Sequence, residues 1–265
     1  MTSGEAYAKA RADGRAALVG YLPAGFPSYD GAVRALRAIV DGGADIVEVG
    51  LAYSDPVIDG PVIQAATEAA LRAGVRTVDV LRTVEAVAAT GAAIVVMTYW
   101  NPVLAYGVDR FAADLASAGG AGLITPDLIP EEAGDWLAAS DAHDLERIFL
   151  VAPSSTPERI EATTAACRGW VYAASTMGVT GARTETSRVA PELVRRVRAT
   201  TALPVGVGLG VSNGEQAAEV ASYADGVIVG SALVRCLLDA PDERAGVAAV
   251  AALASELADG VRRPH

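Results

Sequence analysis

Three carboxylates stand within twelve residues of one another in unlike settings. Glu48 interrupts the apolar run Ile46-Val-Glu-Val-Gly-Leu51, and Asp55 and Asp59 follow it in Ser54-Asp-Pro-Val-Ile-Asp-Gly-Pro61. Glutamate is among the residues least often buried without a partner. An ionised carboxylate taken out of water costs on the order of several kcal/mol, so a cation must offset that cost or the group keeps its proton. Either state suits a catalytic acid. Two carboxylates facing one pocket from different surroundings separate in pKa and divide into acid and base. Plainer readings stand beside this one. Ser-Asp-Pro and Asp-Gly-Pro are ordinary turn sequences, and Glu48 also reads as a strand-edge carboxylate paired with an arginine.

A second group is glycine. Gly178-Val-Thr-Gly181, Gly206-Val-Gly-Leu-Gly210 and Gly230-Ser231 each follow or end an apolar run. Glycine lets backbone N–H groups approach an anion, and a helix N-terminus adds the favourable end of its dipole. The pattern predicts a phosphate site at the ends of the last strands, against the plain alternative of turn glycines. Tyr99, Asn101 and Tyr172 sit at run ends and suit the wall of an apolar pocket with polar anchors, although each alone also reads as a core residue. Residues 178–187, rich in Gly and Thr, read as a lid.

Composition removes other chemistries. Lys9 is the only lysine and precedes the first apolar run, which leaves no lysine inside the fold for a Schiff base. His143 and His265 are the only histidines, too few for a zinc or non-haem iron site or a histidine triad. Cys167 and Cys236 are isolated thiols without disulfide or metal spacing. A net charge of −11 argues against nucleic acid or an anionic membrane as partner. No run of 18 apolar residues and no basic, apolar leader occurs, so the sequence predicts a soluble cytoplasmic protein.

Elements must hold these groups in place. Eight strand-like runs fall at 17–21, 46–49, 93–97, 122–125, 147–151, 170–173, 204–207 and 226–229. Helical periodicity fills 32–40, 61–73, 77–90, 108–118, 131–142, 157–166, 191–200, 213–222 and 242–261. Continuous apolar strands alternating with helices predict a parallel sheet closed as a (β/α)8 TIM barrel, a single domain over residues 1–265. An open doubly wound sheet is the alternative, but no G-x-G-x-x-G follows the first strand. In a barrel the reacting groups gather at the C-terminal strand ends.

With these residues in place, the chain resembles the alpha subunits of tryptophan synthase over essentially its whole length. The resemblance rests on Gly20-Tyr-Leu-Pro-Ala-Gly-Phe-Pro27, Val47-Glu-Val-Gly-Leu-Ala-Tyr-Ser-Asp-Pro56, Asp59-Gly-Pro-Val-Ile-Gln64 and Met97-Thr-Tyr-Trp-Asn-Pro102. Pro126-Asp127, Met177-Gly-Val-Thr-Gly181, Val205-Gly-Val-Gly-Leu-Gly210 and Val229-Gly-Ser231 complete it. It implies a lyase of tryptophan biosynthesis that splits indole-3-glycerol phosphate into indole and glyceraldehyde 3-phosphate by a retro-aldol step. It also implies a pyridoxal-phosphate-bearing beta subunit as partner in an alpha2beta2 tetramer, with no cofactor or metal in this chain. On that resemblance Glu48 is the general acid/base, and Asp59 holds the indole N–H. Tyr172 borders the glycerol phosphate chain, Tyr99 lines the substrate pocket, and the phosphate falls to Gly181, Gly208, Gly230 and Ser231. Thr180 closes toward Asp59, while Asp55, Pro56 and Asp127 face the beta subunit. One departure is Ala52, where the family usually has proline. Besides the complex, the residues leave open a stand-alone lyase releasing free indole, a weakly active module that binds a beta subunit, and a phosphosugar isomerase.

Overall fold

Strand β1 (Ala17–Pro23) is buried at all seven positions and β2 (Ile46–Gly50) at all five. Burial without alternation is what a parallel strand adopts when helices cover one face and a packed lumen fills the other. The computed structural model describes residues 1–174 and 189–263. The remaining strands are β3 (Ala93–Met97), β4 (Gly122–Thr125), β5 (Glu146–Val151), β6 (Val171–Ala174), β7 (Val205–Gly208) and β8 (Gly226–Val229). All eight pair in parallel, each with its chain neighbour, and β8 returns to β1 to close the barrel.

Helices α1 (Ser3–Ala12) and α2 (Tyr29–Asp41) flank β1. Two helices, α3 (Pro61–Arg72) and α4 (Thr77–Ala88), separate β2 from β3, and two more, α5 (Trp100–Tyr106) and α6 (Val108–Ser117), separate β3 from β4. A 3-10 turn (Pro130–Glu132) and α7 (Gly134–Ala142) replace the single helix expected over 131–142. The rest are α8 (Pro157–Ala166), α9 (Val189–Arg198), α10 (Gly214–Ala221), α11 (Ser231–Leu238) and α12 (Glu243–Val261). Local caps bound these helices. Asn213 accepts the Gln216 amide at 2.9 Å, and Gly43 and Gly119, at φ +108° and +83°, end α2 and α6.

Two apolar layers result. Residues such as Leu22, Leu36, Val47, Val49, Phe111 and Leu257 pack strands against helices, while Val19, Ile46, Val95, Ile124, Ile148, Trp170 and Ile228 fill the lumen. Along β2 the two sets alternate, which turns Ile46 and Glu48 inward.

Helix α1 closes the N-terminal end of the lumen with Ala6, Tyr7 and Ala10. Its first amides, Ser3 and Gly4, donate to the Glu146 carboxylate at 2.9 and 2.8 Å, and Ser3 accepts the Trp170 indole N–H at 3.0 Å. The Tyr7 ring lies 5.5 Å from Trp170. Its hydroxyl fits only because β7 and β8 carry Gly206 and Gly226 there; a Cβ would come within 2.4 and 2.5 Å of it. With that end sealed, the lumen opens at the C-terminal strand ends. No helix among the described residues is long and apolar enough to cross a membrane.

Candidate active site

Glu48 is 1% exposed, and its Oε1 has no hydrogen-bond partner among the described residues. Nor does any arginine among them pair with it, which removes the ion-pair reading. Burial alone pushes its pKa up to about 8, so Glu48 carries a proton at neutral pH. Its neighbours across the sheet are Tyr21 on β1 and Val95 on β3.

Asp59 lies on the loop between β2 and α3, just before Gly60 and the first-turn proline Pro61. Its Oδ1 accepts the Tyr99 hydroxyl at 3.0 Å, and that hydroxyl in turn accepts the amides of Val57 and Ile58, each at 3.0 Å. Partial burial raises the Asp59 pKa and the Tyr99 bond lowers it again. The two carboxylates therefore differ in kind. Glu48 is dry and unpaired; Asp59 is half-open and held. Tyr99, expected on the pocket wall, commits its hydroxyl to this loop. Asn101 likewise turns to the loop, donating to the Tyr53 hydroxyl at 3.2 Å.

The open end of the lumen is rimmed by Met97, Leu150 and Tyr172, half-buried against the interior cluster. Tyr172 stacks on Trp170 at 5.7 Å, and its hydroxyl crosses Gly208, where a Cβ would come within 2.6 Å. Side-chain bulk at Gly208 is thus excluded by the pocket wall itself. Burial first, then the Glu48 charge, raises the Tyr172 pKa well above its ordinary value. Gly230 caps α11 without a side-chain hydrogen bond, which leaves the first amides of that helix directed at the ends of β7 and β8. Ser231 opens the helix beside it. Thr180, Gly181 and the lid stretch 178–187 lie outside the described residues. Met97, Leu150 and Tyr21 were not legible as pocket residues; the available signal was their inward parity on strands of known direction.

The family described as "Tryptophan synthase alpha chain" matches residues 7–262. The chain belongs to the tryptophan synthase alpha chain family. A family member from Acidothermus cellulolyticus is 67% identical over 260 residues, covering 98% of this chain and 97% of that one. Another, from Salinispora arenicola, is 65% identical over 261 residues and covers 98% of each. A structure of Mycobacterium tuberculosis tryptophan synthase superposes with a TM-score of 0.93 at 61% identity, covering 98% of both chains.

Within this alpha chain the residues expected at a subunit face are varied in role. Asp127 accepts the Trp100 amide with both oxygens, at 2.9 and 3.1 Å, and so caps α5. Asp55 is exposed, with the Ser54 hydroxyl at 2.7 Å, and Pro56 is half-buried. Around them Val57 and Ile58 are 78% and 51% exposed, and Leu104 and Ile129 are exposed too. Ala52 is buried, and beside it opens a groove of about 590 Å³ lined by Val75, Arg76, Pro102 and Tyr106 among others. Neither Glu48 nor Asp59 lines that groove. No group of three or more His, Cys, Asp or Glu able to hold a metal ion occurs among the described residues.

Proposed function

We propose that Glu48 and Asp59 divide the work by which this lyase of tryptophan biosynthesis splits indole-3-glycerol phosphate into indole and glyceraldehyde 3-phosphate. The single observation that carries the division is a buried, unpaired Glu48 that keeps its proton up to about pH 8. Neutral Glu48 donates that proton to indole C3, which places positive charge on the ring nitrogen. Asp59, ionised and oriented by Tyr99, accepts a hydrogen bond from the ring N–H and stabilises that charge. Glu48, now a carboxylate, takes the proton of the glycerol hydroxyl beside the ring as the carbon–carbon bond breaks. Its electron pair returns to the indole, an aldehyde forms, and Glu48 regains its proton.

The phosphate falls to Gly208, Gly230 and Ser231 at the N-terminus of α11, with Gly181 from the lid. Tyr172 borders the glycerol chain, Thr180 closes toward Asp59, and the Met97–Leu150–Tyr172 rim receives the ring. Asp55, Pro56 and Asp127, with the apolar Val57, Ile58, Leu104 and Ile129, form the face that meets a beta subunit in an alpha2beta2 tetramer. The exposure of these large apolar side chains, with Asp55 and Asp127 each two residues from one of them, supports that reading. Pyridoxal phosphate belongs to that partner, and the cytoplasm is where both chains work. Indole release from indole-3-glycerol phosphate, measured with and without a beta subunit, tests the partner face. Addition of the partner is expected to accelerate release, and Val57→Asp to abolish the acceleration while sparing the unassisted rate. Equal acceleration of both chains would contradict this placement.

A further inference from the structure

Tyr21 stands beside Glu48, and the steps above leave it unused. In the β1–β2 ladder Tyr21 is the register partner of Glu48, and opposed residues of a parallel pair project to the same face. Its neighbour Gly20 faces outward, because a Cβ there would meet Ile39 of α2 at 2.5 Å and Leu233 of α11 at 3.4 Å. Tyr21 therefore points into the lumen.

Two glycines trace the path of its ring. A Cβ at Gly230 would come within 3.4 Å of Tyr21 Cδ1 and 3.5 Å of its Cβ, so the base of the side chain lies beside the first residue of the phosphate site. A Cβ at Gly50 would come within 2.3 Å of the Tyr21 hydroxyl and 2.7 Å of Cζ. Gly50 is two residues beyond Glu48 on the same face of β2, one step closer to the open end. The hydroxyl thus lies at the level of Gly50, one inward-facing position beyond Glu48 toward the open end. The ring spans the interval between phosphate site and acid, which is the interval a three-carbon chain linking phosphate to indole must cross. Tyr21 is only 9% exposed, and its hydroxyl makes no hydrogen bond among the described residues. A hydroxyl that faces a substrate pocket with no partner in the protein is suited to pairing with a substrate group.

We propose that Tyr21 is a further catalytic residue, whose hydroxyl donates a hydrogen bond to the glycerol oxygen next to the indole ring as that oxygen loses its proton. The inference rests on the cleavage assigned to Glu48 above. When the carbon–carbon bond breaks, its electron pair goes to the indole and the hydroxyl proton goes to Glu48. Tyr21 keeps its own proton and meets the negative charge that builds on the oxygen. Burial, followed by the charges of Asp59 and Glu48, holds the Tyr21 hydroxyl well above its ordinary pKa, so it stays a donor throughout.

Tyr21→Phe removes the donor and keeps the ring. With indole-3-glycerol phosphate, kcat is expected to fall about 100-fold, the scale of losing one oxyanion donor, with KM changed less than about threefold. Affinity for an analogue whose two glycerol hydroxyls are replaced by hydrogen is expected to be the same in Tyr21→Phe and the parent, since that analogue offers the hydroxyl nothing. Gly50→Ala pushes the hydroxyl aside from the other strand, so its loss of kcat is expected not to add to that of Tyr21→Phe. Unchanged kcat in Tyr21→Phe, a matching loss of affinity for the deoxygenated analogue, or full additivity with Gly50→Ala would each overturn the proposal. Glu48→Gln, assayed in parallel, separates the two levels: full activity there sinks the cleavage reading itself, whereas an inactive Glu48→Gln beside a fully active Tyr21→Phe sinks only the role of Tyr21.

Discussion

A carboxylate without a counter-ion inside a barrel is a stability liability as much as a tool. The folded chain holds the Glu48 proton up to about pH 8, while the unfolded chain releases it near the ordinary carboxylate value of 4.5. Between those limits the folded state binds more protons than the unfolded one, so stability falls as pH rises through the window and levels off above it. Glu48→Gln removes that dependence. It is expected to match the parent near pH 4 and to exceed it by about 5 kcal/mol near pH 9, as read from urea unfolding at both pH values. The same pH trend in both proteins would place the burden on another group. Glu48 was legible in the sequence because one charged residue in a run of apolar ones has few innocent explanations. Tyr99 was not. Its hydroxyl serves residues 40 to 42 positions earlier in the chain, a pairing that no local pattern encodes.

Helix α1 shows where periodicity stops being informative. Ser-Gly-Glu-Ala-Tyr-Ala-Lys-Ala-Arg-Ala carries no apolar stripe, yet the segment is helical and seals the barrel. Local capping begins it: Thr2 accepts the Glu5 amide at 3.1 Å while Glu5 accepts the Thr2 amide at 2.7 Å. The rest is supplied from β5, where Glu146 lies 143 residues away from Ser3 and accepts its amide, its hydroxyl and the Gly4 amide. Glu146→Gln keeps the shape but replaces one acceptor oxygen by a donor. One of those three donors then loses its partner, and stability is expected to fall by about 1–3 kcal/mol. Faster amide exchange confined to α1 and a lower Tm check this, with kcat near that of the parent because the opposite end of the barrel is untouched. An unchanged Tm would mean that Tyr7 and Trp170 alone hold the plug. The strands, by contrast, were legible to within one or two residues, since a run buried on both faces must be apolar throughout.

The molecule as a whole is a cup, closed by α1 and open where β7 and β8 end and α11 begins. Its single lysine lies on α1 at the closed end, and the phosphate site proposed at the other end is built of backbone amides and a helix N-terminus. Such donors are created by chain geometry, which is why glycine spacing is the signal that predicts them. Closure of eight strands followed from counting runs; which inward residues reach the rim did not, because parity appears only once strand direction and register are fixed. The most direct test of the account is the pH dependence of kcat/KM for indole release, from about pH 6 to about pH 10. The account predicts a fall above about pH 8, as Glu48 loses its proton, and no indole from Glu48→Gln at any pH. A rate that holds level through pH 10, or a Glu48→Gln chain that still releases indole, would contradict it.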